Sequence, residues 1–170
     1  MNLAIEIISA DDLPQQRKDL LNEAYQREFG WDKMIYDESQ WFVIGTLDKE
    51  LAGQVGILQR EISVDGHPLR VGGIHGVITE PEHRGHGVAS ALMGRALDFI
   101  WNELHLPYGL LTCQPRLEAF YNRLRWKTTK ETCGFEQPEG PRSCGGLTMV
   151  VECGGQPWPE GKIDLRGLPW

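Results

Sequence analysis

Apolar positions follow two rhythms along this chain, one of period two and one of helical period. Ile5 to Ile8 reads as a first strand. Leu13, Arg17, Leu20, Leu21, Ala24, Tyr25 and Phe29 then recur at helical spacing, so one face of that helix packs inward. Asp11 and Asp12 are placed to cap it, Pro14 suits its first turn and Gly30 ends it. Trp31 to Gln40 is mixed and acidic, a short helix or loop that is either a solvated connection or a rim over a cleft. Trp41–Leu47 and the long run Ala52–Ile62 are strands, turned by Asp48-Lys49-Glu50. Asp65-Gly66 signals a hairpin, because it supplies the positive φ of a primed turn. From Leu69 to Thr79 a further strand carries Gly72, Gly73 and Gly76, which predicts a bulge or a close approach by a ligand.

A helix is predicted from Val88, with Leu92, Ala96 and Phe99 on its apolar face and Ala91 beside them. Pro107 breaks the chain, and Tyr108–Cys113 reads as a buried parallel strand. Pro115 starts a short helix bearing Leu117, Phe120, Tyr121 and Leu124. Trp126–Thr132 is predicted as a strand, Phe135–Gly146 as a loop and Leu147–Glu152 as the last strand. Gly154 to Trp170 has no clear period and is expected to lie across the body without adding an element.

Length and charge narrow the classes. The 170 residues suit one domain, 1–170, able to bury a core without staples. A net charge of −7 argues against nucleic acid, whose phosphates call for a basic face. It is compatible with a cationic small molecule. Cys113, Cys133, Cys144 and Cys153 form no C-x-x-C, so a zinc site is not expected. The apolar start is short and holds Glu6, a strand and not a secretory signal. Free thiols in a reducing cytoplasm are the resulting expectation. No run approaches the ~20 apolar residues of a membrane span.

The chemistry concentrates between Val71 and Phe99. Here an apolar strand runs into Thr79-Glu-Pro-Glu-His83, then Arg84-Gly-His-Gly-Val-Ala89, then a helix. The first N–H groups of a helix lack internal partners and carry the positive end of its dipole, so an anion can sit there. Gly85 and Gly87 let the backbone come close. The glycines do not fit the G-x-G-x-x-G spacing, and no Lys-Ser/Thr pair completes a P-loop. His83-x-x-His86 with Glu80 and Glu82 could imitate a metal cluster, but the glycine turn explains them better.

Arg84-x-x-Gly87-x-Ala89 resembles the acetyl-CoA motif of the GNAT superfamily of N-acetyltransferases. That resemblance implies an α/β fold with a mixed, mostly antiparallel central sheet, splayed between strands 4 and 5 and flanked by helices. It implies acetyl-CoA as co-substrate, its diphosphate held by Arg84, Gly85, His86, Gly87, Val88 and Ala89. The strand amides near Val77, Ile78 and Thr79 would polarise the thioester oxygen. Glu118-Ala-Phe-Tyr-Asn-Arg-Leu-Arg-Trp126 is similar to a second family signature and puts Tyr121 on its Tyr, with Arg125 in place of the usual Gly. A phenol there can give a proton to the departing thiolate. His75 is the candidate base, with strand alternation predicting His75, Val77 and Thr79 on one face.

Leu58-Gln-Arg60, Val71-Gly-Gly-Ile-His75 and the closing Asp164-Leu-Arg-Gly-Leu-Pro-Trp170 further resemble aminoglycoside 2′-N-acetyltransferases. That implies a cytoplasmic resistance enzyme, with Asp32, Thr112, Asp164 and the Trp170 carboxylate touching a polycationic acceptor in an acidic cleft. An acetyltransferase of a polyamine, amino acid or peptide amine is the alternative, and a non-catalytic CoA-binding sensor is the alternative of another class. Many members of the superfamily are dimers, so a homodimer stays open.

Overall fold

A computed structural model of the chain describes residues 2–30 and 32–170. Trp31, where the acidic connection was predicted to begin, lies outside them. Strand β1 (Ala4–Ser9) pairs antiparallel with β2 (Trp41–Leu47), which pairs with the first half of the long β3 (Glu50–Val64). β4 (His67–Thr79) runs back along β3 from Val64 to Gly53. Asp65 and Gly66 make that turn with φ of 48° and 79°, as Asp-Gly predicts. Asp48 and Lys49 turn β2 into β3 with φ of 50° and 72°, so two non-glycine residues hold a left-handed conformation there.

Helix α1 (Gln15–Phe29) starts at Pro14 without a side-chain cap; Asp12 instead accepts the Ser9 hydroxyl, 2.9 Å away. Gly30 closes it with φ 71°, its N–H on the Gln26 carbonyl. Of the face predicted to pack inward, Leu21 and Ala24 are buried, whereas Leu20 and Phe29 are exposed. Residues 32–40 form no helix. α2 (Val88–Asp98) continues as a π-helical turn, Phe99–Glu103, into β5 (Tyr108–Cys113). α2 packs Val88, Leu92, Met93 and Ala96 against Val55, Ile57 and Ile74 of the sheet, the centre of the largest core cluster. Burying such side chains stabilises by roughly 2 kcal/mol each.

The β4–β5 pair is parallel, as expected for β5, but its other neighbour, β9 (Leu147–Glu152), is antiparallel. α3 (Glu118–Arg123) follows a 3-10 turn at Pro115–Leu117. The strand predicted at Trp126–Thr132 shortens to β6 (Lys127–Thr128), on the edge of β9, while Trp126 is buried.

The predicted loop Phe135–Gly146 is instead largely a hairpin, β7 (Cys133–Gln137) and β8 (Gly140–Ser143). β8 is an edge strand, where Pro141 removes no needed ladder donor. The hairpin sets Cys133 beside Cys144, with Cα atoms 5.7 Å apart, and the two form a disulfide. The expectation of four free thiols therefore holds only for Cys113 and Cys153. The closing segment lies across the body, but it also adds a short strand, β10 (Ile163–Asp164), which bridges β3 and β7. The ten strands of the described residues belong to one mixed sheet, flanked by helices, as the fold reading expected.

Candidate active site

β4 and β5 are paired at only two positions, Gly72 with Gly109 and Gly73 with Leu110. Beyond them the strands part. The cause lies on β4: Gln54 faces Ile78 and Gly56 faces His75, so Gly76 and Val77 together oppose Val55. This is a β-bulge, with Gly76 at φ 59°, a dihedral for which glycine is suited. A bulge leaves one residue out of the ladder and bends the strand. It also reverses the predicted alternation: His75 shares its face with Ile78, towards α1, while Val77 packs with Ile74 in the α2-facing core. The parted strands open a cleft of about 620 Å³. His75, Gly76 and Val77 line one wall and Leu111, Thr112 and Cys113 the other. Tyr121 of α3, Tyr25 and Glu28 of α1, Tyr36, Arg116, Arg142 and Trp170 complete it.

The turn before α2 is tied to this cleft through Arg84, which pairs with Glu28 of its wall. Gly85 and Gly87 have φ of 78° and 80°, and a Cβ at either would meet nothing within 4 Å. Among the described residues the N–H groups from Gly85 to Ser90 find no acceptor in the turn or in any side chain. Six donors thus surround the helix's positive end. Arg84 is held nearby, its Nε on the Thr79 carbonyl at 3.1 Å and its guanidinium on Glu28 at 2.7 Å. His86 is exposed beside it. Val88 is buried under the helix start and Ala89 is half-buried. Ile78 is buried and Thr79 partly so at the end of β4.

Tyr121 is 5 % exposed, its ring edge-on to Phe120 and Trp126. Burial first, and Cys113 second, push its hydroxyl above the ordinary phenol range, so it stays protonated. His75 sits on the opposite wall. Its Nε2 is 2.6 Å from the Ser39 hydroxyl, and its Nδ1 is enclosed without a partner. Burial pulls the imidazole down to about 4, against a smaller upward push from Asp37. The imidazole is accordingly neutral near pH 7.

Trp170 is buried, with its indole N–H 3.4 Å from the Leu110 carbonyl. A Cβ at Gly73 would lie 2.5 Å from its ring, so the close approach that the β4 glycines predicted is made here by the chain's own tryptophan. Gly72 leaves room in the same way for Ile100. Arg60 fixes the tail. Its guanidinium lies over the Trp170 ring at 4.9 Å, donates to the Leu168 carbonyl at 2.5 Å and pairs with Asp37.

Of the predicted acceptor contacts, Thr112 and Trp170 line the cleft. Asp32 takes the Tyr36 hydroxyl at 2.7 Å, beside the cleft and not in its wall. Asp164 lies in β10, exposed, accepting the Arg166 N–H, and does not reach the cleft. Nor is the cleft acidic: its charged side chains are Glu28, Arg116 and Arg142. Asp37 is paired with Arg60, and Glu28 itself faces Arg84. Among the described residues no three His, Cys, Asp or Glu side chains cluster to hold a metal, and no helix is long and apolar enough to cross a membrane. Sequence reasoning did not single out Tyr25, Tyr36, Ser39 or Arg142. They come from α1, from the irregular stretch before β2 and from an unpredicted strand, and no local motif marks them.

Comparison with known proteins agrees with this architecture. Residues 5–129 match the family model described as an acetyltransferase (GNAT) domain, well over half of the chain. Escherichia coli ElaA superposes with a TM-score of 0.65 at 18 % identity, over 89 % of this chain and 100 % of that one. An acyl-CoA N-acyltransferase from Pseudomonas aeruginosa gives 0.63 at 20 % identity, over 88 % and 99 %. The E. coli GNAT-family N-acetyltransferase YhbS, solved in complex with CoA, gives 0.59 at 17 % identity, over 96 % and 89 %. The chain belongs to the GNAT acetyltransferase family, and it is an enzyme of the acyltransferase class.

Proposed function

We propose that this enzyme is an acetyl-CoA-dependent N-acetyltransferase of a small-molecule amine, with the cofactor turn at Arg84–Ala89 and the chemistry in the cleft between β4 and β5. One observation carries the reading: six backbone donors without partners stand at the start of α2, which follows the end of β4, the strand that parts from β5. The residues present fit coenzyme A. The amides of Gly85 to Ser90 would hold its diphosphate, Gly85 and Gly87 leave the space for it, and the bulged backbone at Gly76 and Val77 lines the gap. When bound, acetyl-CoA supplies an acetyl group activated as a thioester. The chain's own work is to aim it, to polarise its oxygen with amides freed by the bulge, and to move two protons. His75 takes one proton from the attacking nitrogen, directly or through a water. Tyr121, kept protonated by burial, holds the other for the departing sulfur.

Resemblance to aminoglycoside 2′-N-acetyltransferases makes an aminoglycoside the first acceptor to test. An amino acid or peptide amine is a second reading with its own support, since Arg116 and Arg142 line the cleft and suit an acceptor that carries a carboxylate. A thiol-release assay with acetyl-CoA and a panel of amines separates them. Turnover of aminoglycosides alone supports the first; turnover confined to carboxylate-bearing amines supports the second. No turnover of any amine, with coenzyme A still bound, leaves the sensor.

A further inference from the structure

Two ion pairs cross between the end of α1 and the segment that leads from β4 to α2. Arg27 of the helix reaches Glu80 at 2.5 Å, and Arg84 of the turn reaches back to Glu28 at 2.7 Å. The two pairs are unequal. The Glu80 side chain is 10 % exposed, whereas that of Glu28 is 34 % exposed and lines the cleft between β4 and β5. Among the described residues Glu28 is the single carboxylate in that wall. Its acidic neighbours are committed elsewhere: Asp32 accepts the Tyr36 hydroxyl and the Met34 N–H, and Asp37 is paired with Arg60. Arg116 and Arg142 come from other elements, after β5 and in β8, so the cleft's negative group stands at its α1 end. Glu28 also lies in the last turn of α1, where the helix presents its negative end and favours cations. Carboxylate and dipole together make a place for a positive charge. Tyr25 is three residues back on the same face, and Phe29 follows; their rings are 4.7 Å apart and both line the cleft. Aromatic faces suit an ammonium group as well.

We propose that Glu28 receives the ammonium group of the arriving acceptor, and that Arg84 masks it until a diphosphate occupies the turn. This rests on Arg84–Ala89 being the diphosphate site proposed above. With coenzyme A bound, two anions compete for one guanidinium. The Arg84 Nε stays on the Thr79 carbonyl, 3.1 Å away, which keeps the guanidinium between turn and helix. Whatever share the diphosphate takes is lost to Glu28, and the α1 end of the cleft gains uncompensated negative charge. Glu28 itself keeps its place, because the Arg27–Glu80 pair holds the helix end and Gly30 closes it on the Gln26 carbonyl. Cofactor and amine thereby help each other to bind, and linkage makes that help reciprocal. Glu28 recruits the acceptor; it is not asked to take its proton.

Calorimetry of coenzyme A binding to the full chain tests the mask. Glu28→Gln should bind coenzyme A about two- to fivefold more tightly than wild type, the worth of a partly exposed ion pair. A pair that merely props the fold predicts equal or weaker binding. In an Arg84→Ala background the same substitution should change nothing. The ammonium site is tested with phenylethylammonium, a cation whose ring suits the aromatic wall, followed by the amide NMR signals of Tyr25 to Phe29. Saturating coenzyme A should lower its dissociation constant for wild type by about two- to fivefold. Glu28→Gln should raise that constant about tenfold and remove the gain from coenzyme A, while Glu28→Asp, which keeps the charge, recovers part of both. Glu28→Gln binding coenzyme A no more tightly than wild type would overturn the mask. Equal affinity of the two proteins for phenylethylammonium would overturn the ammonium site. A wild-type chain that ignores coenzyme A removes instead the diphosphate site on which both depend.

Discussion

The two parts of the proposed site, the turn before α2 and the cleft between β4 and β5, are built from different materials. On the side proposed for the cofactor the groups on offer are main-chain N–H donors held by a turn, with open space above Gly85 and Gly87. On the acceptor side they are side chains drawn from positions as far apart as Tyr25, Arg142 and Trp170, locked by Arg60 and by the Cys133–Cys144 disulfide. Backbone donors suit a ligand part that never changes, since they carry no side-chain chemistry to vary. Side chains on a hairpin and a tail can be exchanged without disturbing the sheet, so we propose that acceptor identity is set by that half.

The sharpest way to break this division is to put a side chain into the cofactor half. Gly87→Trp should lower coenzyme A affinity by about 100-fold or more, the equivalent of two lost hydrogen bonds to a charged group. It should leave acceptor-side variants such as Arg142→Ala no worse at binding the cofactor than wild type. Calorimetry measures both; a Gly87→Trp protein that binds normally removes the turn from the site. Next in size, Tyr121→Phe should reduce kcat by roughly 100-fold, within the range for losing a general acid, while cofactor affinity holds. Unchanged kcat in single-turnover kinetics would make Tyr121 a packing residue.

Acid should then loosen the acceptor half. Unfolded, His75 takes its proton near pH 6.5, but folded only near 4, so between those values the unfolded chain binds more protons. Stability therefore falls as pH drops through this window, by up to about 3 kcal/mol for this group. Urea midpoints at pH 7 and 4.5 should differ more for wild type than for His75→Gln. Equal differences would mean that the imidazole is not shielded as the structure has it. Smallest is a gain. Arg125 holds φ 70°, where the second GNAT signature usually has glycine. Arg125→Gly should relieve about 1 kcal/mol of left-handed strain and raise Tm by roughly 2–4 °C, as scanning calorimetry would show.

The same division governs what could be read from the amino-acid sequence. The strand, turn and helix around Arg84–Ala89 are contiguous, so glycine spacing and helical period were enough to place them. Glycines within β4 announced a bulge or a close approach by a ligand; the bulge occurs, and at Gly73 the close approach is made by the chain's own Trp170, but period-two reasoning cannot survive a bulge and put His75 and Val77 on one face. At β7–β8 the signal was present in the alternation of Cys133, Phe135 and Gln137, all buried, and Pro141 hid it. Because the predicted loop concealed the hairpin, it concealed the disulfide as well. Ser39 and Arg142 gain meaning only from partners that are distant in the chain, and no single-sequence pattern encodes those meetings.

The central claim is that main-chain donors before α2 grip a diphosphate and direct its thioester between two parting strands. Backbone amide NMR during titration with coenzyme A tests this directly. The account predicts the largest shifts at Gly85 to Ser90 and at Gly76 to Thr79. Shifts that leave both segments unmoved, or no shifts at millimolar coenzyme A, would contradict it.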